Sequence, residues 1–154
     1  MDIVGPIIDL PTRVTPELWA QIQTQRNLDI FPVVPLHIIK IALQSFTTHL
    51  VSAAMGRQRE RVQGWLRDWN FCEHTGVQPD HIHFCDGPLL KGMICDSFDE
   101  PPHIAVDDNP EALHSLLGVV PIRIFFDRGE REAQPPDTLR VTSWKELNDV
   151  LRTL

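Results

Sequence analysis

The chain is short of positive charge, of pairable cysteines and of any long apolar run. Fourteen Lys and Arg stand against 21 Asp and Glu, a formal net charge of −7. That balance argues against broad nucleic-acid binding, which needs clustered cations facing phosphates. The three cysteines, Cys72, Cys85 and Cys95, are an odd number without a framework pattern. A reducing compartment, the cytoplasm, is therefore expected rather than secretion. No apolar stretch approaches the ~18 residues of a membrane span. The first residues lack the basic start and apolar core of a signal peptide. No membrane partner is expected, and neither a repeat nor a low-complexity segment is present. What remains is ordinary soluble composition, 42% hydrophobic and 23% charged over 154 residues. One domain over residues 1–154 with a real core is the expectation.

The local signals alternate. Thr15-Pro16-Glu17 is an N-cap, a first-turn proline and an acid near the helix dipole, predicting a helix over 16–26. A Pro-punctuated connection leads to a helix over 36–46 and a short strand over 48–53. Residues 56–69 read as a helix with Val62, Trp65, Leu66 and Trp69 inward. Strands are expected at 81–85, 103–106, 119–126 and 139–142, with Lys91 on a loop between the first two. A helix at 109–117 follows the third strand. Residues 127–137 read as a polar loop, and Ser143-Trp-Lys-Glu146 as a capping box opening the last helix. Such alternation points to an α/β fold, a mostly parallel sheet covered by helices in three layers.

The chemistry concentrates at Pro102–Pro110, where a strand runs into Asp107 and Asp108, followed by the N-cap pair Asn109-Pro110. Carboxylates at the carboxyl end of a parallel strand lie where open α/β sheets hold ligands. Two hard oxygen donors there suit Mg²⁺. Ser52 ends an earlier strand, Arg57 lies just beyond it, and Lys91 precedes the acidic pair. A hydroxyl that donates to phosphate, a lysine that neutralises developing charge and carboxylates that hold Mg²⁺ together suit phosphate chemistry.

Over residues 36–154 this ordered set resembles the haloacid dehalogenase superfamily, particularly its small phosphatase and 5′-nucleotidase-like members. Thr-His-Leu-Val-Ser52 is similar to the second motif, Lys91 to the third-motif lysine, and Ile-Ala-Val-Asp107-Asp108 to the Mg²⁺-binding fourth motif. The resemblance implies a Rossmann-like fold with a minimal cap or none. Residues 12–35 would form a small cap or a connecting segment. It also implies Mg²⁺-dependent hydrolysis of a phosphomonoester, a phosphorylated small molecule or nucleotide, through an aspartyl-phosphate. The first motif, Asp-x-Asp, departs from the pattern. In one placement Asp9 of Ile7-Ile8-Asp9-Leu10-Pro11 is the nucleophile and a Mg²⁺ ligand, with Pro11 in the acid/base position. In the other, Asp2 is the second Asp, and the strand and nucleophile precede Met1. Without an acid/base residue leaving-group protonation typically loses ~10²–10⁴-fold. The alternatives are therefore an active phosphatase and a non-catalytic binding or scaffold protein, with a protein partner or a second copy as further candidates. A third reading is zinc. Cys72, His74, His81, His83 and Cys85 are ligand types at close spacing, and the last three share one strand face.

Overall fold

The computed structural model describes residues 1–3, 6–7, 15–129 and 133–154. Among the described residues five strands form, β1 (Leu50–Ser52), β2 (Ile82–Phe84), β3 (Ile104–Asp107), β4 (Ile122–Phe126) and β5 (Leu139–Val141). β1 pairs with β2, and β3–β4–β5 form a second ladder; all pairings are parallel. Met1 and Asp2 lie between the two ladders. The Val51 N–H donates to the Met1 carbonyl at 2.9 Å, and the Asp2 N–H to the Val106 carbonyl at 3.1 Å. The order across the molecule is thus β2, β1, the segment Met1–Ile3, β3, β4, β5.

The helices are α1 (Pro16–Thr24), α2 (Leu36–Leu43), α3 (Gly56–Asp68), α4 (Phe71–Thr75), α5 (Lys91–Asp96), α6 (Pro110–Ser115) and α7 (Trp144–Leu151). Strand alternation sorts them onto two faces. Leu50, Val106, Ile124 and Phe126 pack with Ile39 and Leu43 of α2, Val62 and Trp65 of α3, Phe71 of α4 and Leu147 of α7. Their neighbours Val51, Ala105 and Phe125 pack on the other face with Cys95 of α5 and Leu113 of α6. The result is a mixed α/β architecture with helices on both sides of short parallel ladders. Two buried indoles tie the early chain to it. Trp65 Nε1 donates to the Ile30 carbonyl and Trp144 Nε1 to the Pro6 carbonyl, both at 2.7 Å.

Several local signals act as expected. Asn109 caps α6 by accepting the Glu111 N–H at 2.8 Å. Ser143 accepts the Glu146 N–H at 3.2 Å, while the Glu146 carboxylate reaches one residue further than in a capping box, to the Thr142 N–H and hydroxyl. Other boundaries move. Lys91 is not on a loop: it opens α5, directly after a 3-10 turn at Pro88–Leu90. β4 begins at Ile122 rather than Val119. Val119 and Val120 both donate to the Leu116 carbonyl and so belong to the turn that closes α6, and Pro121 has no N–H to give a ladder. Among the described residues no helix is long and apolar enough to cross a membrane.

Candidate metal centre

β3 delivers Asp107 to the carboxyl end of the sheet, 2% exposed. Its two oxygens have separate tasks. Oδ1 accepts the Asn109 N–H at 2.9 Å, an Asx turn that fixes the carboxylate at the mouth of α6. Oδ2 accepts from Lys91 Nζ at 2.6 Å. The same ammonium lies 3.0 Å from Asp2 Oδ1, which also accepts the Ile3 N–H at 2.8 Å. Lys91 is as buried as Asp107, so this Asp–Lys–Asp bridge is made out of water. The next residue, Asp108, is paired differently. Its Oδ2 faces Arg128 Nη1 at 3.3 Å, from the turn after β4.

One oxygen from each of Asp2, Asp107 and Asp108 lies within 4.8 Å of the other two. Two side-chain cations, Lys91 and Arg128, are paired with these three carboxylates. Burial works against the Lys91 ammonium, but Asp107 and Asp2 outweigh it and hold its pKa above the ordinary lysine range. The deficit of positive charge falls on the acids. Burial, reinforced by Asp107 and Asp2, pushes Asp108 up to about 7 against the pull of Arg128. Burial, with a contribution from Asp107, raises Asp2 to about 6 in spite of Lys91. A divalent cation would relieve both. The donors are hard oxygens, the type that hard divalent cations prefer. A set of this kind could hold a divalent cation and selects no particular one.

The other residues expected to act here have mixed placements. Ser52 closes β1, 1% exposed, beside the segment that carries Asp2, and its Oγ accepts the Ala54 N–H at 3.4 Å. Arg57 is exposed on the first turn of α3. Arg59, one half-turn on, instead reaches back across the carboxyl ends of β1 and β2, donating to the Ala54 carbonyl at 3.1 Å and to Asp86 at 2.8 Å. Asp9 lies outside the described residues, and the carboxylate that completes the group is Asp2. Arg128 was hidden inside a stretch that reads only as a polar loop. Its one available signal is position, immediately past the carboxyl end of a strand that pairs in parallel with β3.

The cysteine–histidine set does not assemble. Among the described residues the acidic trio is the one group of three or more such side chains close enough to share an ion. β2 spans only Ile82–Phe84, and His81 closes the 3-10 turn before it, so His81 and Cys85 flank opposite ends of the strand. His81 and His83 stack with His49 at the amino ends of β1 and β2, with His49–His81 ring centroids 4.0 Å apart. Cys85 points its thiol at the Ser52 and Gly87 carbonyls. Cys72 sits on α4 and packs with the opposite face of the sheet.

Set against known proteins, the chain matches no protein-family model and no curated protein sequence.

Proposed function

We propose that the acidic centre is a cation-assisted phosphate-ester site of the haloacid dehalogenase type, with Asp2 as the carboxylate that attacks phosphorus. The observation that carries this reading is the bridge from Lys91 to Asp2 and Asp107 inside a three-carboxylate group. A general acid must hold a proton and release it to a leaving group. A carboxylate bonded to a buried ammonium and able to take a cation is poorly suited to that, and well suited to nucleophilic attack. Asp2 therefore fits the first acidic position of the motif better than the second.

A bound divalent cation would neutralise the phosphoryl oxygens and the carboxylates around it. Lys91 is paired with Asp2 and Asp107 and fixes their orientation. The Ser52 hydroxyl, at the end of the neighbouring strand, is a donor for a phosphoryl oxygen. Attack by an Asp2 oxygen forms an acyl phosphate and expels the leaving group as its oxyanion. Two residues beyond Asp2 stands Val4, and two beyond Asp9 stands Pro11. Neither side chain can move a proton. Esters whose leaving group departs without protonation are the expected substrates, and the aspartyl-phosphate should persist for want of an acid/base residue at the motif's second position.

A second reading, binding of a phosphorylated ligand without turnover, is favoured by that same missing proton carrier. Incubation with Mg²⁺ and either p-nitrophenyl phosphate or an alkyl phosphate separates the two. Release of p-nitrophenolate, with a phosphoryl adduct on the intact mass that Asp2→Asn and Asp107→Asn abolish, supports transfer. The alkyl ester should react ~10²–10⁴-fold more slowly. An adduct that survives Asp2→Asn removes the role given to Asp2. Phosphate binding without adduct or release leaves the second reading.

A further inference from the structure

We infer that His49, His81 and His83 form with Phe98 an acid-sensitive clasp. It holds the connection between α5 and β3, residues 97–103, against the amino ends of β1 and β2, and releases it when the stack takes up more than one proton. The clasp lies at the opposite end of the sheet from the acidic centre.

The four rings come from three separate places in the chain. His49 immediately precedes β1, His81 and His83 flank Ile82 at the start of β2, and Phe98 stands two residues beyond α5. The His49 ring centroid is 4.0 Å from that of His81 and 4.4 Å from that of Phe98. His83 lies 5.3 Å from His49 and 4.8 Å from Phe98. Phe98 also packs on the buried group that includes Val51, Ala105 and Phe125. Little else pins the connection. The Phe98 N–H donates to the Cys95 carbonyl at 3.4 Å, and the His103 carbonyl accepts from Ile122 at 3.1 Å. Among the described residues no backbone hydrogen bond falls between those two. The ring contacts of Phe98 are therefore the tie at the middle of the connection.

The stack tolerates one proton and not two. His49 Nδ1 and His83 Nε2 meet at 3.0 Å. A single proton there makes a charge-assisted hydrogen bond, and one imidazolium is attracted by the face of Phe98. A second proton sets two like charges within a ring's width of each other, on the facing pair or on His49 and His81. Burial first, then His81, holds the pKa of His49 and His83 below the ordinary 6.5, and each ring resists the more for its charged neighbours. The Met1 α-amino group, bonded to the His49 carbonyl at 2.8 Å, adds to that resistance, and Asp80 opposes it. Asp99 and Glu100, which follow Phe98, are exposed to solvent. The clasp is therefore closed above about pH 6.5 and opens as pH falls through the lowered values.

The test is nuclear magnetic resonance on the full chain labelled at histidine and phenylalanine. Ring-to-ring nuclear Overhauser effects between Phe98 and His49 report the closed clasp, and the imidazole nitrogen shifts count the protons. Between pH 7.5 and pH 5 the Phe98–His49 signal should fall to about half or less, the response of a weak local contact to a solvent-screened repulsion. Signals of Phe126 in the core should stay unchanged, and the fall should begin only once a second ring titrates. The double variant His81→Asn, His83→Leu leaves one imidazole on Phe98 and should keep the signal at pH 5. A wild-type signal that is constant over this range overturns the clasp, and so does a fall that Phe126 shares, since the whole fold would then be opening. A fall complete at the first proton, or one as large in the double variant, overturns the role of like-charge repulsion. The wild-type proton count decides this last point by itself if the double variant does not fold.

Discussion

The two ends of the sheet solve the problem of crowded like groups in opposite ways. At the carboxyl end three carboxylates converge, and the fold supplies counter-charges, Lys91 between Asp2 and Asp107 and Arg128 on Asp108. At the amino end three imidazoles converge, His49, His81 and His83, stacked with one another and against Phe98. Two of these rings are held toward the neutral form. Burial and the neighbouring histidines lower the pKa of His49, and burial and His81 lower that of His83. A cluster held by opposite charge invites a further cation. In the imidazole stack, His49 Nδ1 and His83 Nε2 instead meet each other at 3.0 Å. The difference explains why the site reading belongs to the acidic end, although the sequence offers metal-ligand types at both.

Removing Lys91 should break the comparison most severely. Lys91→Met leaves Asp2 and Asp107 buried side by side without their shared ammonium. Loss of one partner of a buried pair typically costs about 3–5 kcal/mol. An unfolding free energy from urea denaturation lowered by that amount is expected, and a change within ~0.5 kcal/mol would mean that the bridge contributes no stability. A milder break comes from beneath. Gly92 packs so closely on α6 that a Cβ would sit 2.1 Å from the Ser115 carbonyl oxygen. Gly92→Ala must push α5 outward, and with it Lys91. Overpacking of this kind costs about 1–3 kcal/mol. The same variant should weaken Mn²⁺ binding, because the Asp–Lys–Asp bridge loses its alignment.

The pH dependence sharpens the contrast, because the two ends respond with opposite sign. Asp2, raised to about 6, and Asp108, raised to about 7, bind protons in the folded chain that they release in the unfolded one. Their stabilising protonation is complete below the ordinary carboxylate pKa near 4 and is lost as pH rises through about 6 to 7. A cation at the carboxylates offsets that loss. Added Mg²⁺ should therefore raise the melting temperature more at pH 8 than at pH 5. An equal rise at both pH values would separate Mg²⁺ stabilisation from this centre.

Much of the acidic end was legible in the residues. Asp107-Asp108-Asn109-Pro110 announces a strand end and a helix start, and both form. Ser52 ends its strand as the local pattern requires. The remainder depends on contacts across the chain. Lys91 reads as a loop residue because Gly92 disfavours a helix, and only the close seat against Ser115 shows why glycine is needed. Asp2 carries no strand signal of its own. Its place is set by bonds to β1 and β3, about 50 and 100 residues away. Arg128 follows a strand end that is visible in sequence, but its partner is fixed only by the register of β4 on β3. The cysteines and histidines are close in sequence but not in space, because a strand extends its residues and α4 turns Cys72 toward the other face.

The smallest expected effect lies at the amino end. His49 Nδ1 and His83 Nε2 are 3.0 Å apart, so one must donate and the other accept. That contact requires at least one neutral ring, since two imidazolium ions would each present a proton to the other. With folded pKa values below the ordinary 6.5 for both residues, their contribution to stability is present above about pH 6.5 and is lost as pH falls through the folded values. His49→Phe keeps a flat ring against His81 and Phe98 and removes the charge. The wild type should lose more stability than this variant between pH 7.5 and pH 5, by less than about 1 kcal/mol, because partly exposed rings are screened by solvent. Urea midpoints at the two pH values measure it. Equal losses would place the acid sensitivity outside the stack, and the amino end would then be held by packing rather than by neutrality.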